Sequence, residues 1–263
     1  MIEAVTLDFG NTLVPVPAAA LRGVVAITAE GMAERLGPFS VEEVLNAWHE
    51  ELERQFREEV PQFREVDLAQ RMVRVLARLR GMPPPAEHER WDDAAAQRLA
   101  DPAEVAWAVE VYAAAFVEAL PAAPGAGAVI ERLARDWRVA VLSNWPLART
   151  IDRYCEAAGW APHLTAIVVS QRVGTIKPHP AIFAAARAAL GDPPPGAILH
   201  VGDDWAADVV GAKRAGWRAV WLASRPDDSP LPGSERDETV EADAVIGSLD
   251  GLEAALAQIE LEA

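Results

Sequence analysis

Cysteine is nearly absent: Cys155 is the only one in 263 residues. A single thiol excludes an internal disulfide and leaves no cysteine cluster for zinc. It reads as a small buried hydrophobe. Lysine is almost as scarce, with two against 22 arginines, so Lys177 and Lys213 mark places where a compact ammonium has been kept. No apolar run approaches the roughly 18 residues that would cross a bilayer, and the first residues offer neither a basic start nor a signal-like apolar core. A soluble, cytoplasmic protein with no membrane partner is therefore expected. Positive charge is short overall, 24 basic residues against 40 acidic for a net charge of −16, and no basic stripe occurs. Nucleic acid would be repelled over most of such a surface, whereas a small anionic ligand needs only a local cation. Repeats and low-complexity tracts are also missing. The 51% hydrophobic content fits a folded chain, either one large domain or one carrying a smaller insertion.

The first stretch, Glu3 to Leu13, climbs through Val5, Thr6 and Leu7 to a lone carboxylate, Asp8, and the Gly10-Asn11 pair then turns the backbone. After the extended Val14-Pro15-Val16-Pro17 connector the periodicity becomes helical. Helices are predicted from Ala18 to about Leu36, from Ser40 through Leu52 with Glu43 completing a capping box, from Asp67 to Arg80, near Glu87 to Leu99, and from Pro102 to Leu120. No strand signal interrupts them. Beyond Pro121-Ala122-Ala123-Pro124-Gly125, strands at Arg138–Leu142, Ala166–Ser170, Ala197–Val201, Arg218–Leu222 and Ala242–Ile246 alternate with helices, and Ser224 to Glu241 reads as a loop. Such alternation predicts an α/β fold, a doubly wound parallel sheet of Rossmann-like type with an inserted all-helical cap. The expected division is residues 1–16 and 121–263 for the core and 17–120 for the cap.

Four strand ends deliver polar groups to turns, and in an open parallel sheet all of them lie on one edge. Asp8 can attack phosphorus as a nucleophile, giving an aspartyl-phosphate, or can simply hold its turn. Thr12 can bond a phosphate oxygen or cap the same turn. Ser143-Asn144 follows the strand Val139 to Leu142, where a hydroxyl and exposed N–H groups hold a phosphoryl oxygen or start a helix. Lys177 is restrained by Pro178 and Pro180, so a fixed ammonium can neutralise a carboxylate and steady a phosphate. His179 beside it reads as a loop histidine. Asp203, Asp204 and Asp208 place three carboxylates within six residues at one strand end, a repulsion that a cation such as Mg²⁺ would relieve. A negatively charged helix N-terminus is the other account of Asp204 and Asp208.

With these positions assembled, the chain resembles the haloacid dehalogenase superfamily of aspartate-nucleophile hydrolases, in its type with a helical cap between the first and second motifs. The matching residues are Asp8 and Thr12, Ser143-Asn144, Lys177-Pro178, and Gly202-Asp203 with Asp208, in order and in spacing. The resemblance implies Asp8 as nucleophile and Mg²⁺ ligand, the Gly10 backbone carbonyl and Asp203 as further ligands, and Asp208, with Asp204, acting on the metal indirectly. It assigns Thr12, Ser143, Asn144 and Lys177 to the phosphoryl group. Phosphatases of the superfamily usually carry a second aspartate two residues after the nucleophile, where this chain has Gly10. Loss of that acid, typically worth about 10²–10⁴-fold, implies slow turnover or a preference for good leaving groups.

Three functions follow: a Mg²⁺-dependent phosphatase of small phosphorylated metabolites, a metal-independent 2-haloacid dehalogenase, or a phosphate-binding protein with little catalysis. The acidic cluster favours the first and Gly10 keeps the others open. A cap residue such as His49 or Glu51 is a candidate replacement acid, Arg22 and Arg64 are candidate substrate contacts, and one of Trp145 and Trp205 is expected to line the pocket. A monomer or a homodimer is expected.

Overall fold

The computed structural model describes residues 1–82, 100–237 and 239–261. Strands β1 (Ala4–Leu7), β2 (Arg138–Ser143), β3 (Ala166–Val169), β4 (Ile198–Gly202), β5 (Arg218–Leu222) and β6 (Ala244–Ile246) form one sheet in the order β3-β2-β1-β4-β5-β6. Every neighbouring pair is parallel. The carboxyl ends of all six strands therefore share an edge, and the chain reverses its direction of winding at β1, where a crevice opens.

The pleat sorts the strand residues between two cores. Val5, Leu7, Val139, Val141, Leu199 and Val201 face one way, while Ala4, Ala140, Leu142 and Ile198 face the other. Helices α1 (Ala18–Leu36), α2 (Val41–Glu59), α3 (Leu68–Leu79) and α4 (Pro102–Ala119) come first in the chain. They precede α5 (Ala126–Leu133), α6 (Ala148–Ala157), the single turn α7 (Ser170–Val173) and α8 (Pro180–Ala189). A π-helix, Trp205–Val210, runs into α9 (Gly211–Arg214), and α10 (Leu252–Leu261) closes the described chain. Val129 and Ile130 of α5, Ile151 of α6 and Leu256 of α10 pack on the first face; Ile182 and Phe183 of α8 and Val209 pack on the second. Burying each such side chain contributes about 1.5–3 kcal/mol. The sheet is doubly wound, as the alternation predicts.

Helices α1 to α4 form the layer over the strand ends, and no strand occurs between residues 18 and 119 among the described residues. Their starts are set by capping: Ser40 Oγ accepts from Glu43 N (3.2 Å) while Glu43 Oε2 accepts from Ser40 N (2.7 Å). Asp67 Oδ1 accepts from Ala69 N and Gln70 N, and Asp101 Oδ1 from Ala103 N just before Pro102. The helix expected near Glu87 to Leu99 lies outside the described residues. Cys155 is buried in the core, and burial pushes its thiol up to about 12.

Several element ends differ from the sequence reading: β2 runs on to Ser143, β4 is shifted by one residue to Ile198–Gly202, and α2 continues to Glu59. Ser170 opens α7 instead of ending β3, because its hydroxyl turns back to accept from Trp145 N (2.9 Å). β6 starts at Ala244, since the Asp243 carboxylate is held by Lys213 Nζ (2.8 Å), Arg218 Nη1 (2.9 Å) and Ala219 N (2.8 Å). Between Leu222 and Ala244 the described residues form neither helix nor strand. The ends of that connection are fixed to the sheet, with Ala223 N donating to Ile246 O (2.9 Å).

Candidate active site

Parallel register brings residues from four distant stretches into one ring. Asp8 sits just past β1, its N–H donating to Val201 O (2.8 Å), and the Asn11 turn behind it has a positive φ of 57°. Lys177 reaches the ring from the turn before α8, and its ammonium donates to Asp8 Oδ1 (2.8 Å), Asp208 Oδ1 (2.6 Å) and Leu142 O (2.9 Å). Its backbone is clamped by Asn144, whose Oδ1 accepts from Lys177 N (2.7 Å) and whose Nδ2 donates to Lys177 O (3.0 Å). The Asn144 side chain thus positions Lys177, and the residue also lines the cavity beside it.

Asp208 is fixed from three sides. Its Oδ2 accepts from Asp204 N (2.9 Å), and its Oδ1 also lies 3.0 Å from His200 Nε2. Because Asp208 is a carboxylate, Nε2 donates to it, while Nδ1 lies 2.8 Å from the Thr6 hydroxyl, which also reaches Leu199 O (3.3 Å). A Cβ on Gly202 would stand 2.2 Å from Asp208 Oδ2, so only glycine lets this carboxylate lie under the strand end.

Oxygens of Asp8, Asp203 and Asp208 lie within 4.8 Å of one another, all three residues are buried, and the Lys177 ammonium pairs with Asp8 and Asp208. Burial alone would raise Asp208, but the Lys177 ammonium and the His200 hydrogen bond outweigh it and hold this carboxyl well below its usual range. Burial also acts on Lys177, yet Asp208 and Asp8 push its pKa up. Burial raises Asp8, which Lys177 only partly offsets. Asp203 is pushed up to about 8 by burial and by the Asp8 and Asp208 charges. Among the described residues its only side-chain hydrogen-bond partners are at long range, Arg225 Nη1 at 3.3 Å and Asn11 Nδ2 at 3.4 Å. The cluster is short of positive charge at Asp203, and a hard divalent cation fits that deficit and the all-oxygen donor set.

A cavity of about 460 Å³ opens above the ring, and Asp8, Gly10, Asn144, Lys177, Asp203 and Asp208 all line it. Thr12 and Ser143 do not line it; both are buried, and their hydroxyls lack a partner among the described residues. Trp145 lines the cavity, whereas Trp205 packs in the second core. His49 is exposed on α2 and pairs with Glu53 (3.2 Å), and Glu51 pairs with Arg78 (3.0 Å), so neither reaches the site. Arg22 and Arg64 are also outside it, Arg64 being bonded to Glu59.

The sequence reading passed over several contributors. His200 and Thr6 lie inside a strand, where alternation alone gives the signal that they point into the second core. Glu65 and Arg71 line the cavity from the cap side. The connection after β5 supplies Arg225, Leu231 and Ser234 to the cavity wall. Arg225 Nη1 also donates to Pro232 O (2.9 Å) and its Nη2 to Leu231 O, which draws the loop over Asp203. A Cβ on Gly10 would meet Leu231 Cδ1 at 2.7 Å and Trp145 Cζ3 at 3.2 Å, so the space of a side chain there is filled by these two.

Residues 2–216 match the haloacid dehalogenase-like hydrolase family. The chain is 26% identical to the pyrimidine 5'-nucleotidase YjjG of Escherichia coli over 144 residues, 55% of this chain and 62% of that protein. It is 44% identical to a phosphoserine phosphatase of Thermus thermophilus over 73 residues, 27% of this chain and 29% of that protein. Each match spans less than two thirds of the relative's length. Its fold is similar to the crystal structure of a 2-haloacid dehalogenase from Pseudomonas syringae, with a TM-score of 0.66 and 25% identity over 98% of this chain and 99% of the other. A buried ring of strand-end aspartates around one lysine, a doubly wound sheet beneath a helical layer and the match over residues 2–216 agree: the chain belongs to the haloacid dehalogenase-like hydrolase family.

Proposed function

We propose that the protein is a Mg²⁺-dependent phosphatase that works through an aspartyl-phosphate on Asp8, with residues 17–120 as the cap. The observation that carries this reading is the charge deficit at Asp203, a buried carboxyl pushed up to about 8 beside Asp8 and Asp208. Asp8, Asp203 and the Gly10 carbonyl would hold the metal, with Asp208 acting indirectly because its oxygens are already bonded. Bound there, Mg²⁺ supplies positive charge for the phosphoryl oxygens.

Lys177 keeps Asp8 ionised and aimed. One Asp8 oxygen attacks phosphorus, and the bond from phosphorus to the leaving oxygen breaks with its electron pair on that oxygen. Water then attacks the same phosphorus, phosphate departs and the Asp8 carboxylate is restored. Thr12 and Ser143 have partnerless hydroxyls but do not line the cavity, so they would serve as phosphoryl donors only by turning toward it. With no side-chain acid at Gly10, the leaving oxygen takes its proton from water, which favours alcohols of low pKa.

Hydrolysis of p-nitrophenyl phosphate by wild type and Asp8→Asn, each with Mg²⁺ and with EDTA, tests this. Turnover is expected only for wild type with Mg²⁺, the variant losing roughly 10⁴-fold or more while keeping its Tm. Equal turnover in EDTA overturns the metal assignment, and an active Asp8→Asn overturns the nucleophile.

One observation favours a second reading. Arg225 places a resident cation on Asp203, and Leu231 fills the space above Gly10, an arrangement that serves attack of Asp8 on a carbon–halogen bond without a metal. Halide release from 2-haloacids in EDTA would establish it.

A further inference from the structure

The cavity over Asp8 has two unlike walls. Its floor is the charged ring, and its cap side is apolar, formed by Leu21 and Val25 of α1, Trp48, Leu52 and Phe56 of α2, and Phe63 beyond it. Phe56 and Phe63 are 37% and 43% exposed, so the mouth is edged with aromatic surface. A sugar or a nucleobase laid against this wall would give up hydrogen bonds to water and find few in return. A benzene ring would lose none and gain stacking. A cavity of about 460 Å³ is ample for a ring with a short side chain.

One cation interrupts the apolar wall. Arg71 of α3 lines the cavity and is 4% exposed, and its bonds go to neutral acceptors, from Nε to Gln55 Oε1 (2.9 Å) and from Nη2 to Val66 O (3.3 Å). Its guanidinium lies 5.5 Å from the Trp48 ring centre. No ion pair forms to it among the described residues. Arg74, one turn on and equally buried, pairs with Glu58 (3.1 Å) and Glu51 (4.0 Å). Glu65 also lines the cavity, and it and Asp67 act on Arg71 through space, but the Glu65 carboxyl takes its hydrogen bonds from Ser170 Oγ and Val66 N and not from the guanidinium. Burial in turn pulls Arg71 down to about 10. A buried guanidinium that faces a cavity, with no carboxylate hydrogen-bonded to it among the described residues, is a place for a ligand's anion.

The chemistry of the floor narrows the other end of the ligand. With Gly10 beneath Leu231 and Trp145, nothing at that position donates a proton to the leaving oxygen. Phenolate departs without such help far more readily than an alkoxide.

We infer that the site is built for an aryl phosphate bearing a carboxylate: the phosphoryl group at Asp8 and Lys177, the ring against Trp48 and Phe56, and the carboxylate on Arg71. The inference rests on the phosphatase reading and adds the leaving group to it. Asp8 forms its bond to phosphorus, the bond from phosphorus to the phenol oxygen breaks, and the phenolate leaves with the electron pair and takes its proton from water.

The test compares 3-(4-phosphonooxyphenyl)propanoate with its primary amide, in MgCl₂. Two methylenes insulate the ring, so the phenols are matched in acidity and only the remote charge differs. For wild type, kcat/KM is expected to be at least tenfold higher for the acid, and both should exceed an alkyl phosphate such as glycerol 1-phosphate. In Arg71→Met the acid-to-amide ratio should fall to about two or less, with the loss in KM; Arg71→Lys should restore part of it. A ratio within one protein survives a general loss of activity, and the wild-type ratio decides the matter even where the variants fail to fold. Equal kcat/KM for acid and amide overturns the carboxylate site, as does a ratio unchanged in Arg71→Met. Preference for the alkyl phosphate overturns the aryl class. If wild type hydrolyses none of these esters and no p-nitrophenyl phosphate, the phosphatase reading falls and this inference with it.

Discussion

The two walls of the cavity differ in how completely they are bonded. On the strand-end side the Lys177 ammonium, both Asp208 oxygens and both His200 nitrogens have partners. On the cap side Arg71 hydrogen-bonds only to neutral acceptors among the described residues, with Glu65 and Asp67 acting on it through space. The first wall is made by backbone register: β1, β2 and β4 are locked side by side, and the residues just past their ends have little freedom. The second is made of side chains on helices that no ladder ties to the sheet. A reaction common to a family is held by the rigid wall, and selectivity is written on the wall that changes without disturbing the ladder.

The largest expected effect breaks the ring. Lys177→Met leaves Asp8, Asp203 and Asp208 facing one another without an ammonium, and urea unfolding of the metal-free protein should show a loss of about 3–5 kcal/mol. Arg225→Met, at a half-buried guanidinium with long contacts to Asp203 and Asp204, should cost much less. Equal costs would mean that the ring is no more dependent on its central cation than on the loop.

An intermediate effect concerns the join between the walls. Gly10→Asp alone should bring no gain, because Leu231 and Trp145 fill the space its side chain would enter. Together with Leu231→Ala it should raise kcat on alkyl phosphates by about 10²-fold, toward the lower end of what a positioned acid supplies. A gain from Gly10→Asp by itself would show that Leu231 moves aside freely.

The smallest effect sharpens the cap side. Burial raises Glu65 above its unfolded value, so the folded protein binds this proton more tightly than the unfolded chain does. Stability must then fall as pH rises from the unfolded pKa, about 4.3, through the folded one. Thermal unfolding across pH 4–8 should show a shallower decline in Glu65→Gln than in wild type. Parallel curves would mean that Glu65 is ionised in the folded protein at no cost.

Sequence alone made the ring legible where chemistry coincides with a strand end. Asp8, Lys177, Asp203 and Asp208 each follow an apolar run or sit beside a turn former, and the order of the elements fixed the sheet that gathers them. Thr6 and His200 escaped because they lie within strands, where only the finished register tells which polar residue faces a partner. The clamp of Asn144 on Lys177 is not legible, since a side-chain amide holding a remote backbone leaves no trace in spacing. Arg71 is one of 22 arginines, and the turning of its guanidinium toward the cavity and onto neutral acceptors exists only in three dimensions. The connection after β5 reads as an ordinary loop because its contribution rests on where Arg225 and Leu231 land.

That connection is tied down at its base. Ala223 is bonded to Ile246, and Asp243 gathers Lys213, Arg218 and Ala219 at the other end. With both ends anchored, the segment is an exchangeable cassette: doubling its length would add only about 0.6 kcal/mol of closure entropy. The roof over the Asp8 ring can therefore be rewritten, in nature or at the bench, while the hinge points and the sheet beneath stay as they are.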